Sequence, residues 1–288
     1  LSAPQKPEVQ AVLNEVWNTQ NPLLSQETQS MKTDVFIGQK CTSGVIYVDK
    51  DNLTMISQQP GELRFAYKGN TYETRLSGTY QMVNAALAIE TAQVILQRIE
   101  VITRKEDVKT TTRSVTVLDA YDYARMDSET QVELFQKGIA NTSWPGRFEV
   151  IGREPLFIID GAHNEDAVKQ MAFTIEKSFT NQRITFIIGI LADKEHEKML
   201  ELMMPYADQI YTVTPPNPRG LSGKVLAEEV SNWHEDVFFC ETIEEAVQNA
   251  IAHGRETKKP VIAFGSLSYL GQLKEYYKQS CESRMRDV

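Results

Sequence analysis

The second half of the chain alternates between short apolar runs and longer segments with helical periodicity. The apolar runs are typical of strands buried on both faces, and they occupy residues 156–159, 184–190, 209–213, 237–240 and 260–264. The helical patterns lie between and after them, at residues 166–179, 195–205, 224–233, 243–253 and 267–279. Strands that alternate with helices of about 10 to 15 residues predict right-handed crossovers and a parallel sheet. We therefore predict a complete, doubly wound, Rossmann-like α/β domain over residues 144–288.

The first half has a less regular pattern. It predicts helices at residues 7–19, 79–99 and 128–140, and short strands at 35–37, 44–48, 62–67 and 71–75. The last two strands are a hairpin candidate, with Gly69 and Asn70 in the turn. A few strands and one long helix do not form a self-contained sheet domain. We therefore interpret residues 1–143 as the C-terminal part of an α/β domain whose beginning is absent.

Composition narrows the class of protein. A length of 288 residues leaves room for two domains, and a formal net charge of -9 argues against a nucleic-acid-binding surface. Cys41, Cys240 and Cys281 are far apart and odd in number, which favours reduced thiols over disulfides or a metal site. The sequence has no run of 18 apolar residues, so we predict no membrane span and a cytoplasmic location.

Polar residues stand where the strand at 156–159 should end. Asp160, His163 and Asn164 follow that strand, and in open α/β sheets ligands bind outside the carboxyl ends of the strands. A carboxylate there suits ribose hydroxyls, while Arg147, in the rigid turn at 144–147, offers phosphate a bidentate cation. The pair predicts a nucleotide site. The alternatives are that Asp160 caps a helix and that Arg147 belongs to a surface turn.

Four further turns carry candidate ligand-binding groups. Gln81 and Asn84 share one face near the start of a helix. They either bind a ligand or reflect the ordinary polarity of a helix N-terminus. Asp193 follows a strand and is predicted to cap the helix beginning at residue 194. Arg219, in a proline-rich loop, belongs either to an anion site or to a rigid surface loop. The hydroxyl of Ser266 could hold an anion or cap a helix.

Several common motifs are missing from the sequence. It contains neither a G-x-x-x-x-G-K-[ST] phosphate loop nor a G-x-G-x-x-G loop. It also has no cluster of His and Cys at metal-ligand spacing and no recognisable Ser-His-Asp arrangement. His196, His234 and His253 are interpreted as ordinary residues of helix surfaces.

Taken together, the motifs resemble the folylpolyglutamate synthase and dihydrofolate synthase family, which are ATP-dependent ligases related to the Mur peptidoglycan ligases. Each motif is weak alone, but six occur in family order over nearly the whole chain. They are residues 78–86 (GTYQMVNAA), 144–150 (WPGRFEV), 160–164 (DGAHN), 193–196 (DKEH), 217–220 (NPRG) and 264–267 (FGSL).

The resemblance implies a domain organisation and an activity. Residues 1–143 would be part of the central ATPase domain and residues 144–288 the C-terminal Mur-ligase-type glutamate ligase domain. The implied substrates are folate or dihydropteroate and L-glutamate, with ATP and Mg²⁺, and the implied product forms through an acyl phosphate. The phosphate loop and the Mg²⁺ ligands would lie upstream, so we expect this chain to be an inactive part of a monomeric enzyme.

The resemblance also assigns roles to five residues. Asn84 is expected at the adenine, Arg147 at the ATP phosphates, and Asp160 at the ribose or adenosine end. His163 is expected near the reacting groups, and Ser266 is a candidate for the incoming glutamate.

Two features depart from the family pattern, and two alternative functions stay open. Glu165 follows Asn164 where the family has proline, and residues 101–127 match no motif. One alternative is a Mur-type ligase that adds an amino acid to a nucleotide-linked peptide, although its usual amino-acid motif is not evident. The other is a catalytically inactive nucleotide-binding module.

Overall fold

A computed structural model describes residues 48–105, 127–193 and 196–286. These residues form two compact units. The first unit comprises residues 48–54, 65–72, 82–105 and 127–139, and the second comprises 55–64, 73–81 and the described residues from 140 onward. The helix predicted at 7–19, the strand at 35–37 and nearly all of the strand at 44–48 lie outside the described residues. The domain boundary at residue 143 stays a prediction.

The N-terminal elements include a three-stranded sheet in the order β1-β2-β3. Its strands are β1 (Leu53–Gln59), β2 (Glu62–Tyr67) and β3 (Asn70–Thr74). The predicted β2–β3 hairpin is confirmed, but its turn is formed by Lys68 and Gly69, with φ of 47° and 81°. Two positive φ angles match the twist of a type I′ hairpin turn. Helices α1 (Gln81–Lys105) and α2 (Ser128–Asn141) follow the sheet.

A buried carboxylate stabilises the first unit. Glu90, on α1, is 6% exposed and accepts a hydrogen bond of 2.7 Å from the Tyr67 hydroxyl. The Lys68 ammonium lies 2.5 Å from the same oxygen. Because a buried charge without a partner is strongly destabilising, these two partners allow the carboxylate to remain in the interior.

The second unit contains a six-stranded sheet in the order β4-β5-β9-β6-β7-β8. The strands are β4 (Glu149–Arg153), β5 (Leu156–Ile159), β6 (Ile184–Ile188), β7 (Ala207–Thr212), β8 (Val237–Phe239) and β9 (Val261–Phe264). Strands β5 to β9 are mutually parallel, as predicted, whereas β4 pairs antiparallel with β5. Strand β4 was not predicted, because it is a half-buried edge strand whose register shifts between Val150 and Gly152.

Helices cover both faces of this sheet. They are α3 (Glu165–Ser178), α4 (Glu197–Met203), α5 (Gly223–Val230), α6 (Ile243–Thr257) and α7 (Leu267–Arg286). Apolar residues of α3, α4 and α5 share one core cluster, and those of α6 and α7 share the other. Neighbouring strand residues face opposite clusters, as Ile158 and Phe157 do. The predicted doubly wound α/β fold is therefore confirmed.

An ion cluster stabilises the amino end of the sheet. Asp208, at the start of β7, accepts hydrogen bonds from His253 Nε2 at 2.8 Å and from the Lys259 ammonium. Burial acts to raise the pKa of Asp208, but these two hydrogen bonds together hold it below its usual value. The interpretation of His253 as an ordinary surface residue was therefore wrong. The same is true of His196, which lies 2.7 Å from a carboxylate oxygen of Glu229.

Candidate functional site

The carboxyl ends of β5, β9 and β6 meet at one edge of the sheet. The N–H of Gly265 donates to the Ala162 carbonyl at 2.9 Å, and the N–H of Gly189 donates to the Phe264 carbonyl at 3.3 Å. Gly265 has a φ of +112°, and a Cβ there would lie 2.6 Å from the Gly189 carbonyl oxygen. Only glycine fits such a close approach, so these turns form a tightly connected strand-end edge.

Asp160 connects this edge to the turn that carries Arg147. Its carboxylate is 3% exposed, and the two oxygens accept hydrogen bonds from Phe148 N at 2.8 Å and Ala162 N at 2.7 Å. Helix α3 is capped instead by Asn164, whose side chain accepts from Ala167 N at 2.9 Å. The alternative interpretation of Asp160 as a helix cap was therefore wrong.

The charge state of Asp160 depends on opposing effects. Burial raises its pKa from 3.8 to about 6, while the two backbone N–H groups, the Arg147 charge and the Tyr80 hydroxyl act to lower it. At neutral pH most molecules still hold a carboxylate here. A buried carboxylate whose pKa is perturbed by specific neighbours is a frequent feature of functional sites.

The turn that carries Arg147 is held on both sides. Gly146 and Phe148 have positive φ angles of 70° and 47°, and the Phe148 side chain is fully buried. Gly161 N donates to the Gly146 carbonyl at 2.7 Å, and Gly146 N donates to the Glu149 carboxylate at 2.9 Å. Arg147 is half-buried, so its guanidinium lies on a fixed turn beside Asp160.

His163 and Ser266 also lie on this edge. The Nδ1 atom of His163 is 2.8 Å from the Gly161 carbonyl, which can only accept. Nδ1 therefore carries the proton, and Nε2 is the nitrogen left for a ligand. Ser266 is 4% exposed, and its hydroxyl accepts from Ser268 N at 3.2 Å, at the start of α7. This geometry agrees with a helix-capping hydroxyl, and the expected contact with glutamate stays a prediction.

Two other residues that the sequence singled out, Asn84 and Asp193, lie outside the Asp160 turn. Asn84 belongs to the first unit, where it is exposed on α1, and its expected adenine contact stays a prediction. Asp193 does not cap a helix at residue 194, because α4 begins at Glu197 with His196 before it. Instead, Asp193 accepts a hydrogen bond of 2.8 Å from Arg219. The structure thus joins two loops that the sequence presents as separate.

Sequence reasoning missed the role of Tyr80. This residue is half-buried, and burial together with the negative charge of nearby Asp160 raises the pKa of its hydroxyl well above the ordinary value. The one sequence signal was its position beside Gln81, in the motif at 78–86. Proximity to Asp160 is a tertiary property, 80 positions away along the chain, so no local pattern indicates it.

Two kinds of feature are not found among the described residues. In residues 48–105, 127–193 and 196–286, no three His, Cys, Asp or Glu side chains form a group that could hold a metal ion. No helix in this part of the chain is long and apolar enough to cross a bilayer.

Comparison with known families places the strand-end turns in a specific class of domain. Residues 146–267 match the family described as Mur ligase, glutamate ligase domain. This region runs from the Arg147 turn to the start of α7, and so includes Asp160, His163 and Ser266. This region of the second half is therefore similar to the glutamate ligase domain of Mur ligases.

Individual relatives narrow the class further. The chain is 28% identical over 209 residues to the dihydrofolate synthase/folylpolyglutamate synthase of Bacillus subtilis, covering 71% of this chain and 41% of the relative. It is 30% identical over 164 residues to the folylpolyglutamate synthase of Lacticaseibacillus casei, covering 55% and 32%. The chain is thus a relative of the folylpolyglutamate and dihydrofolate synthases, and it spans less than half the length of these two.

Solved structures confirm the fold. A folylpolyglutamate synthase of Mycobacterium tuberculosis, complexed with ADP and AMPPCP, superposes with a TM-score of 0.58 at 20% identity, covering 81% of this chain and 49% of that one. The folylpolyglutamate synthase of Thermotoga maritima gives 0.58 at 22% identity, covering 82% and 48%. At these identities the likeness shows that the chain shares the fold of these two structures, and it leaves the activity to be tested.

Proposed function

We propose that the chain is part of an ATP-dependent ligase that adds L-glutamate to the γ-carboxylate of folate or tetrahydrofolate polyglutamates. The observation that carries this proposal is the Arg147 turn held next to the buried Asp160, whose carboxylate accepts from Phe148 N, within the matched region. The relatives named above support the choice of substrate class. In such a reaction the folate carboxylate takes the γ-phosphoryl group of ATP, and the glutamate amine displaces phosphate from the acyl phosphate.

The site residues would act mainly by positioning and by charge. The Arg147 guanidinium would bind phosphate oxygens with two parallel N–H groups, and the Asp160 carboxylate would accept from a ribose hydroxyl. Phosphoryl transfer needs little covalent help from a protein, so accurate placement of these charges supplies most of the catalysis. His163 Nε2 would lie near the reacting groups, Ser266 near glutamate, and Asn84 at the adenine.

ATP-dependent ligases of this kind use Mg²⁺ with the nucleotide. Because no group of three suitable ligands occurs among the described residues, we assign no Mg²⁺ ligand to this part of the chain. The proposal includes a cytoplasmic, monomeric protein that functions in folate and one-carbon metabolism.

The test is glutamate incorporation by the natural full-length protein that contains this chain. Radiolabelled glutamate, ATP and tetrahydrofolate are the substrates, and labelled folate and ADP are measured. Arg147→Ala should lower kcat/KM about 100-fold or more, since removal of one preorganised charge donor commonly has that effect. The kcat/KM of Arg147→Lys should lie between those of Arg147→Ala and the unchanged protein, because lysine keeps the positive charge but cannot make the two parallel hydrogen bonds of a guanidinium.

Arg183→Ala is the matched control. Arg183 is exposed before β6, at the opposite edge of the sheet, where its guanidinium donates to the carbonyls of Pro205 and Ala207 at 2.9 and 3.2 Å. Its removal should leave kcat/KM within about twofold of the unchanged protein, as is usual for surface substitutions away from special features. Unchanged kinetics in Arg147→Ala would refute the site. ATP binding without any turnover would instead favour an inactive nucleotide-binding module.

A further inference from the structure

Leu267 packs on two glycines of the strand-end turns. It is the first residue of α7, directly after Ser266, and its side chain is 50% exposed. A Cβ at Gly161 would lie 2.4 Å from Leu267 Cδ2 and 2.7 Å from Cγ, and a Cβ at Gly146 would lie 3.1 Å from Cδ2. The inner face of the leucine therefore lies directly against the backbone of both turns, and only glycine at position 161 leaves room for it.

The two glycines under Leu267 are bonded to each other. Gly161 N donates to the Gly146 carbonyl at 2.7 Å, and both residues are buried. Gly161 directly follows Asp160. Gly146 directly precedes Arg147, so this hydrogen bond connects the turn of the buried carboxylate to the turn of the guanidinium. Leu267 covers the two bonded residues, and a hydrogen bond in less polar surroundings is stronger.

Two further contacts of α7 hold the same turn. Leu270 is buried, and a Cβ at Gly146 would lie 3.6 Å from its Cδ1. The Lys274 ammonium binds one oxygen of the Glu149 carboxylate, and the other oxygen accepts from Gly146 N at 2.9 Å. Because α7 is attached to the Arg147 turn along its first two turns, the backbone that carries Leu267 has a fixed position over the two glycines.

We propose that Leu267 is a positioning residue of the nucleotide site, whose side chain keeps the Arg147 turn and the Asp160 turn at a fixed spacing, so that one nucleotide can bind to both. The proposal rests on the nucleotide-binding part of the function given above. Leu267 acts through the two turns, and no contact of its own with the nucleotide is required. A site that is preorganised in this way binds more tightly, because less freedom is lost on binding.

The first test is Leu267→Ala in the natural full-length protein. Alanine is a good helix former, so α7 should still begin there, but its methyl group does not cover both glycines. Hydrogen exchange of the Gly161 amide should become about tenfold faster, because its hydrogen bond is then less protected from local opening. The Kd for ADP should rise about tenfold, the effect of one weakened charge-assisted hydrogen bond between a guanidinium and phosphate.

Both quantities can be measured directly. Exchange is followed by NMR on protein labelled with ¹⁵N at glycine and ¹³C at aspartate, which selects Asp–Gly peptide bonds, and that pair occurs once in this sequence, at Asp160–Gly161. ADP affinity is measured by calorimetry well below the unfolding temperature of each variant. Leu267→Met should return both values to within about twofold of the unchanged protein, since methionine has nearly the same volume and reaches the same place.

A glycine variant tests the packing itself. Gly161→Ala puts a methyl group where Leu267 lies, and Gly161 is not at a positive φ, so alanine is compatible with the backbone there. The Kd for ADP should rise about tenfold or more, because the leucine is displaced. In the double variant Gly161→Ala/Leu267→Ala, the new methyl group meets the Gly146 carbonyl oxygen at 3.3 Å instead. Its Kd should be lower than that of Gly161→Ala by about threefold or more, since residues in contact are not additive.

Leu134→Ala is the matched control. Leu134 is a partly exposed leucine on α2, a helix with no buried residues, and its replacement should leave Gly161 exchange and the Kd for ADP within about twofold. Unchanged Gly161 exchange in Leu267→Ala would overturn the proposal. The same holds if the Kd of the double variant equals the product of the two single effects. If Gly161→Ala does not fold, recovery of folding in the double variant supports the proposal, and failure of both to fold leaves Leu267→Ala and Leu267→Met to decide it.

The outcomes separate this inference from the proposed function. The exchange measurement needs no nucleotide, and calorimetry with ADP needs neither folate nor glutamate. Absence of ligase activity with intact ADP binding contradicts the proposed reaction and leaves the role of Leu267 standing. If the unchanged protein does not bind ADP, the nucleotide site itself is refuted, while Gly161 exchange still decides whether Leu267 holds the two turns together.

Discussion

Replacement of Asp160 by asparagine tests the electrostatic account of the site through protein stability. Burial raises the folded-state pKa of Asp160 from 3.8 to about 6, so the native protein binds this proton more tightly than the unfolded chain. The sign follows from proton linkage. The contribution of Asp160 to stability is fully present below about pH 3.8 and is lost as the pH rises through about 6. Asparagine has no such titration.

The magnitude follows from two effects. The step from 3.8 to about 6 is about 2.2 units, and at about 1.36 kcal/mol per unit it amounts to about 3 kcal/mol. In the opposite direction, asparagine has one acceptor oxygen for two backbone N–H groups, which costs about 1–3 kcal/mol at every pH. The variant should therefore be less stable by about 1–3 kcal/mol near pH 4. Near pH 7.5 the difference should fall to about zero or change sign.

The assay is urea unfolding at pH 4.5, 6 and 7.5, monitored by circular dichroism and tryptophan fluorescence. Asp208→Asn is the control, because the pKa of Asp208 is lowered below 3.8 and its effect on stability should therefore be nearly the same at these three pH values. A free-energy difference between Asp160→Asn and the unchanged protein that is the same at all three pH values would refute the reasoning.

Three further substitutions test the fold around the site. Gly265→Ala should destabilise the protein by about 1–3 kcal/mol in a thermal unfolding scan, because φ is +112° and the Cβ would meet the Gly189 carbonyl. Gly271→Ala is the control, since Gly271 has open space around it and the substitution should be neutral or stabilising in the same scan. Asp208→Asn should lower the free energy of unfolding in urea at neutral pH. This loss should shrink as the pH falls below 3.8, because the carboxylate of the unchanged protein then takes up a proton, first in the unfolded chain and at lower pH in the native state. Glu90→Gln should lower the free energy of unfolding in urea by about 1–3 kcal/mol, because the buried Tyr67 hydroxyl and the Lys68 ammonium lose a charged acceptor. An unchanged unfolding midpoint would contradict the ion-pair account.

The sequence predicts the central parallel strands β5, β6 and β9 because both of their faces are buried. Strand β5 begins and ends where its apolar run does, at Leu156 and Ile159, and a fully buried strand leaves no polar position inside the run. Strand β4 and strand β1 were missed for the converse reason. Both are half-exposed, so apolar and polar residues mix without a clear period.

In the candidate site, too, some features could be predicted from the sequence and others could not. Asp160 and Arg147 could be predicted, because a carboxylate at a strand end and a cation on a Pro-Gly turn have a position fixed by local sequence. The contact of Asp193 with Arg219 could not be predicted, since it joins residues of two different loops.

The sequence by itself determined the strand-end location of Asp160 and the chemistry that a carboxylate offers there. Only the tertiary structure decided that this carboxylate would be buried, would accept from Phe148 N, and would lie near the charge of Arg147. The physical reason is that strand ends follow from local apolar runs, whereas burial and long-range hydrogen bonds depend on how separate segments pack around one carboxyl group.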